Sequence, residues 1–176
     1  MTGSAPGPVK PPNLLTVGDL ARHARPDRRL ELVDGHLFVS ALETPYLDLV
    51  IAGAERVIRA AAGTRFDVRA NEPITFDDRN LLVPDVAVRG AGLVPRLVFE
   101  VRSDSTERYA LGPKRMVYSR ARIPEYWFLD PRAKLLAVFR SAAADPDYPW
   151  PPAYYRPGEE VPAGILPPVR VADLAT

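Results

Sequence analysis

Two carboxylates and two cations fall close together between Leu81 and Arg122: Asp85 in VPDVA, Glu100 and Arg102 in RLVFEVR, and Lys114 in GPKRM. Two neighbouring carboxylates repel each other, and both stay ionised only when a cation joins them. A divalent ion that takes several oxygen ligands meets that need. Such an ion can activate water and polarise a phosphodiester. Arg102 or Lys114 could then stabilise charge building on phosphorus, or position the nucleophile. A plainer reading is also open: Asp85 caps a loop, and Glu100 pairs with Arg102 on a solvated strand. Spacing of this kind is common by chance, so spacing alone favours the plainer reading.

The composition narrows the ion. There is no cysteine, and only His23 and His36 could offer imidazole. Thiolate sites and disulfides are excluded. Any metal would rest mainly on oxygen, which favours magnesium, manganese or calcium over zinc. The two histidines are expected to be bystanders.

These residues need elements that bring them together. Strand side chains alternate between faces. In RLVFEVR, Leu97, Phe99 and Val101 share one face, and Val98, Glu100 and Arg102 share the other. If the strand bearing Asp85 pairs with this one, Asp85 and Glu100 meet at one end of the sheet. The carbonyl of Val101 would add an oxygen there. Pro84 lacks a ladder donor, so the Leu82–Val88 strand should lie near an edge or carry a bulge. Gly112-Pro113 suggests a helix start, and that helix would carry Lys114 and run to about Arg122.

The rest of the chain supplies a body. Residues 1–13, rich in Pro and Gly, should form a loose arm, with 14–176 as one domain. Thr16 can cap a short helix. RRLELVDGHLFVS alternates on both sides of Asp34-Gly35, a strong hairpin signal. Thr44 and Pro45 can open a helix to about Ala62, where Leu47, Val50, Ile51, Ala54, Val57, Ile58 and Ala61 recur at helical spacing until Gly63 stops it. Short strands are expected at 65–70, 72–76, 125–129, 134–139 and 153–156, with a final edge strand at 165–171. The sum is a mixed sheet with two main helices, an α/β or α+β (mixed) domain.

With 176 residues, 47% hydrophobic and 26% charged, the chain can bury a sizeable core. Its formal net charge of +1 does not advertise a nucleic-acid binder. A mild basic excess ahead of Ser141 is compatible with a phosphate-bearing partner. The N-terminal residues lack a signal-peptide core and no run would span a bilayer, so a cytoplasmic protein is the default expectation.

Five segments carry a resemblance: LELVDGHLFVS, LLVPDVAV, LVFEVRSDST, KRMVYSRARIPEYWFLDP and YYRPGEEV, in that order between Arg29 and Arg170. Together they resemble the bacterial restriction endonuclease family often called Uma-two, of the PD-(D/E)XK nuclease superfamily. The resemblance implies a restriction-endonuclease-like core, a mixed central sheet flanked by helices, a Mg2+ site that Mn2+ could also fill, and a homodimer. It implies that Glu31 matches the family's early glutamate and that Asp85 and Glu100 are the metal-binding pair. Arg102 stands where the superfamily motif has lysine, and Lys114 matches a lysine on the following helix that can replace it. The chain departs from the family pattern at Leu47, Asp104 and Ala110, where histidine, proline and aspartate are common.

The expected function is therefore metal-dependent endonuclease action on nucleic acid, DNA in the first instance. Two alternatives stand beside it: a nuclease-fold module that binds nucleic acid or protein with a decayed site, and a nucleotide or small-molecule hydrolase. Tyr118 shares a helix face with Lys114, and core packing is its expected role.

Overall fold

Asp34 and Gly35 both adopt positive φ, at 48° and 80°. The turn they make joins β1 (Arg28–Val33) to β2 (His36–Ala41), paired antiparallel from Val33↔His36 to Arg28↔Ala41. A side chain at Gly35 would also meet Leu14, since its Cβ would lie 2.7 Å from the Leu14 Cβ. The computed structural model describes residues 14–23, 28–41, 44–103, 107–141, 148 and 151–174. The expected arm at 1–13 and the position Asp104 lie outside the described residues.

Helix α1 (Pro45–Ala62) begins where Thr44 accepts a hydrogen bond from the Leu47 N–H, with Pro45 in the first turn, and it ends at Gly63. Its apolar stripe, from Leu47 through Ile58 to Ala62, is buried. Next come β3 (Asp67–Ala70), β4 (Ile74–Asp77), β5 (Asn80–Leu82), β6 (Val86–Arg89) and β7 (Leu97–Val101). The single strand expected across Leu82–Val88 is two strands. β5 pairs with β1 and β4, whereas β6 pairs with β3 and β7. Pro84 sits in the three-residue gap, where a missing N–H donor costs no ladder bond. The segment Val83–Asp85 therefore passes from one sheet to another.

The second helical region also differs from expectation. It begins before Gly112-Pro113, as α2 (Glu107–Tyr109), and passes through a π-turn at Ala110–Lys114 into α3 (Arg115–Arg120). Pro113 lies inside the π-turn, and the Arg115 N–H reaches back five residues to the Ala110 carbonyl. Proline removes one α-helical donor and crowds the carbonyl four residues back. The wider turn accommodates both effects.

The chain closes with β8 (Glu125–Asp130), β9 (Leu135–Arg140), β10 (Ala153–Tyr155), β11 (Glu160–Val161), β12 (Val169–Arg170) and α4 (Val171–Leu174). The expected final strand at 165–171 is thus reduced to β12, a short partner of β11. The main sheet has the order β10-β9-β8-β7-β6-β3, in which β7 and β8 run parallel and the other pairs antiparallel. The smaller sheet has the order β2-β1-β5-β4. One core joins α1 and α4 to Val86, Leu97, Phe99, Val101 and Trp127. A second core joins Ala110, Val117 and Tyr118 to Val98, Tyr126 and Phe128 on the opposite face, with Val33 and Leu82 from the smaller sheet. This is a mixed α+β domain with a central sheet flanked by helices. Among the described residues no helix is long and apolar enough to cross a membrane.

A buried carboxylate ties the C-terminal segment to this sheet. Glu125 accepts hydrogen bonds from the Trp127 indole N–H at 2.9 Å and the Ile165 N–H at 2.8 Å, and Arg140 Nε lies 3.3 Å from it. Gly164 passes so close that an added Cβ would fall 1.9 Å from Glu125 Oε1. Gly164→Ala should therefore displace Glu125 and lower stability by about 1–3 kcal/mol. A thermal melt checks this, and an unchanged midpoint would refute the packing role.

Candidate active site

Four charged side chains are buried together where the two sheets meet. Glu31 comes from β1, Asp85 from the segment leading into β6, Glu100 from β7 and Lys114 from the π-turn, each 2–4% exposed. The pairing Val86↔Phe99 puts Asp85 and Glu100 next in line on adjacent strands. Alternation sends Phe99 and Val101 into the α1 core and Val98 into the opposite one, so Glu100 faces the second helical region.

Lys114 bridges the two sheets. Its Nζ lies 2.9 Å from Glu31 Oε1 and 2.6 Å from Glu100 Oε1. Glu31 Oε1 also accepts the Val83 N–H at 2.7 Å, which fixes the segment that delivers Asp85. Asp85 Oδ2 accepts the Val101 N–H at 2.7 Å. The hydroxyl of Tyr118 donates to Glu100 Oε1 at 2.6 Å. Lys114 and Tyr118 thus converge on one oxygen of Glu100, leaving Oε2 out of these contacts.

Arg102 is drawn elsewhere. Its guanidinium pairs with Asp130 at the end of β8 and lies 2.9 Å from Glu107. Of the two cations expected at the site, only Lys114 reaches the carboxylates. The structure adds a cation from β1: Arg29 Nη1 donates to Asp85 Oδ1 at 2.9 Å. Arg29 stands two residues before Glu31 on β1, on the same face. In the sequence Arg22, Arg25, Arg28 and Arg29 form a small basic cluster that reads as a solvated face able to touch phosphates, and nothing in it singles out the member that turns inward. Tyr118 does pack in the core, against Phe76 and Tyr126, and its hydroxyl serves the site as well.

Three carboxylates face two cations here, so the cluster carries one formal negative charge in excess. Burial pushes the Glu100 carboxyl up to about 7; Lys114 opposes the rise, and Asp85 and Glu31 add to it. Burial disfavours the Lys114 ammonium, but Glu100, Glu31 and Asp85 outweigh it and hold the lysine charged. Burial also raises the Tyr118 phenol well above its ordinary range, with Glu100 and Glu31 adding to the rise, so it remains a donor. Tyr109, stacked on Phe38, is pushed up by burial and then by Glu31 and Glu100.

Among the described residues no group of three or more His, Asp or Glu side chains is arranged to hold a metal ion. Mg2+ does not require one, because it keeps several waters and takes one or two carboxylates. The donors present are all oxygen, the charge excess is negative, and Glu100 Oε2 takes part in neither the Lys114 nor the Tyr118 contact. The chemistry of these donors is that of a site for a hard divalent cation, which Asp85 and Glu100 would hold. Two family departures are core positions: Leu47 is buried on α1, and the Ala110 carbonyl accepts the Tyr126 hydroxyl at 3.2 Å.

Tyr118→Phe should remove one of the two donors on Glu100 while keeping the ring. A buried hydrogen bond to a charged group is worth about 1.5–3 kcal/mol. The expected result is a loss of that order in a denaturant melt, with the folded far-UV spectrum retained. An unaltered midpoint would show that the hydroxyl contributes nothing.

A family model described as "Uma2: Putative restriction endonuclease" matches residues 17–172. Among solved structures, a crystal structure described as a putative nuclease belonging to DUF820, from Anabaena variabilis, superposes with a TM-score of 0.74. It is 14% identical, and the match covers 92% of this chain and 97% of that one. At that identity the likeness concerns the fold. No curated protein matches the chain.

Proposed function

The chain belongs to the Uma2 family of putative restriction endonucleases, and from that premise we propose that it is a metal-dependent endonuclease hydrolysing phosphodiester bonds in DNA. One observation carries the proposal: a lysine and three carboxylates are buried together, with Lys114 2.6 Å from Glu100. Such burial is costly and seldom improves on apolar packing. Active sites are where burial and neighbouring charges are arranged to shift a carboxyl in this way, which makes the cluster a functional-site candidate.

Asp85 and Glu100 would hold Mg2+ or Mn2+. The bound ion supplies Lewis-acid polarisation of the phosphodiester and a water activated near neutral pH. Lys114, fixed by two glutamates, keeps a third N–H for a phosphate oxygen or the attacking water. Glu31 acts as a positioning residue, since its one oxygen steadies both Lys114 and the backbone before Asp85. Tyr118 orients Glu100.

The test is supercoiled plasmid incubated with the purified chain and Mg2+ or Mn2+. Nicking and linearisation that stop on chelation are expected. A second reading, a binding module with a decayed site, is favoured by Arg29 lying on Asp85. It predicts duplex binding indifferent to chelator, with no cleavage.

A further inference from the structure

We propose that Arg29 is an exchangeable counter-cation: it occupies Asp85 when no divalent ion is bound, and turns to a substrate phosphate when the ion takes its place. This rests on the reading of Asp85 and Glu100 as the metal-binding pair.

The two cations of the cluster are held very differently. Lys114 has 4% of its side chain exposed and is locked between two glutamates. Arg29 has 13% exposed and lies at the edge of the cluster. Its Nη1 meets Asp85 Oδ1 at 2.9 Å, and its Nη2 meets Asn71 Oδ1 at 2.6 Å. Asn71 adopts positive φ, at 52°, in the turn between β3 and β4, and its own N–H donates to the Asp85 carbonyl at 3.1 Å. Asn71 therefore grips the backbone of Asp85 and the guanidinium that covers its side chain.

The two oxygens of Asp85 have separate duties. Oδ2 is pinned inward by the Val101 N–H, and Oδ1 is the oxygen that Arg29 covers. An ion arriving at Asp85 must compete with a charge-assisted hydrogen bond at that atom. Once displaced, a guanidinium is well suited to a phosphate, because its fork matches two anionic oxygens. The charge count agrees. Three carboxylates with Lys114 and Arg29 leave one negative charge, and adding a divalent ion leaves one positive charge, which favours an anionic backbone. Linkage then makes the effect reciprocal: the ion tightens DNA, and DNA tightens the ion.

Calorimetric titration of Mn2+ alone into the full chain tests the first half. Arg29→Gln should bind Mn2+ about tenfold more tightly than the native protein, within the usual range of coupling between sites. Asn71→Gly keeps the left-handed backbone but removes one acceptor that holds the guanidinium, and should give a smaller tightening; it carries the test if Arg29→Gln fails to fold. Fluorescence anisotropy of a labelled duplex tests the second half: adding Ca2+ should tighten binding by the native chain clearly more than by Arg29→Gln, which keeps only the part due to the charge of the ion itself. Equal or weaker Mn2+ binding by both variants would overturn the exchange and make Arg29 a plain support for Asp85. Calcium-induced tightening of the same size in Arg29→Gln as in the native chain would overturn the transfer to phosphate. Absence of Mn2+ binding in the native chain and both variants would overturn the metal-pair reading itself, and the exchange with it.

Discussion

Glu100→Gln is expected to abolish magnesium-dependent cleavage while leaving the fold at least as stable as the native one at pH 8. Glutamine keeps the shape of the side chain and can still accept from Tyr118, but it brings no charge to the ion. Loss of Lewis-acid stabilisation worth several kcal/mol corresponds to a fall of about 10^3-fold in rate. The stability side follows from the carboxyl itself, which burial, Asp85 and Glu31 keep near 7 against the pull of Lys114. A carboxyl whose folded value exceeds its unfolded value of 4.5 binds a proton more tightly when folded. Its contribution to stability is full below about pH 4.5 and is lost as pH rises through about 7. In the ion-free native chain, stability from this group should therefore decline across that window, by an amount on the order of 1–3 kcal/mol. Glu100→Gln should flatten the decline. Ion binding requires the carboxylate, so Mg2+ affinity should rise over the same window. Chelated protein melted at several pH values checks the first point and plasmid cleavage the second. A variant that still cleaves at near-native rate would remove Glu100 from the site.

Lys114→Met is the second large effect, and it runs through stability first. Methionine matches the length of the stem but leaves Glu31 and Glu100 buried without their shared cation. Removing one partner of a buried ion pair costs about 3–5 kcal/mol. For a domain of this size the melting temperature should fall by roughly 6–20 °C. Glu31→Gln in the Lys114→Met background should recover part of the loss, because one uncompensated charge is removed while an acceptor for the Val83 N–H remains. A melt of Lys114→Met that matches the native curve would mean that the lysine is not the bridge between the sheets. Arg102→Met, by contrast, breaks partly exposed pairs with Asp130 and Glu107, which solvent screens, and should move the melt far less.

Much of the fold could be read from local chemistry. Asp34-Gly35 supplies a turn that only residues tolerant of positive φ can make. The spacing of Leu47 through Ala61, with Thr44 before it and Gly63 after it, describes α1 to its ends. Alternation in RLVFEVR separates Phe99 from Glu100, and the β6–β7 pairing then puts Asp85 beside Glu100. What was hidden depends on contacts between distant segments. Pro84 announces a break, but the residues around it do not say that the chain leaves one sheet for another. Gly112-Pro113 reads as a helix start because local rules favour proline in a first turn. The π-turn around Pro113 makes an interior position tolerable, and it is this turn that carries Lys114 to the carboxylates. The choice between Lys114 and Arg102 turned on that geometry and on Asp130, which lies 28 residues beyond Arg102 and draws it away. Arg29 and Tyr118 reach the site through side chains whose sequence surroundings resemble ordinary strand and core positions.

The passage of Val83–Asp85 from one sheet to the other has a consequence for how this protein would fail. Glu31 belongs to the smaller sheet and Glu100 to the larger, and Lys114 spans them. The candidate site therefore exists only while the two sheets stay docked. On warming, the smaller sheet can lift away while the six-stranded sheet still keeps its ladder, since protein segments open at separate free energies. The cleavage proposed for this site would then vanish at the undocking temperature, ahead of the main unfolding transition. Catalysis would serve as a gauge of that docking.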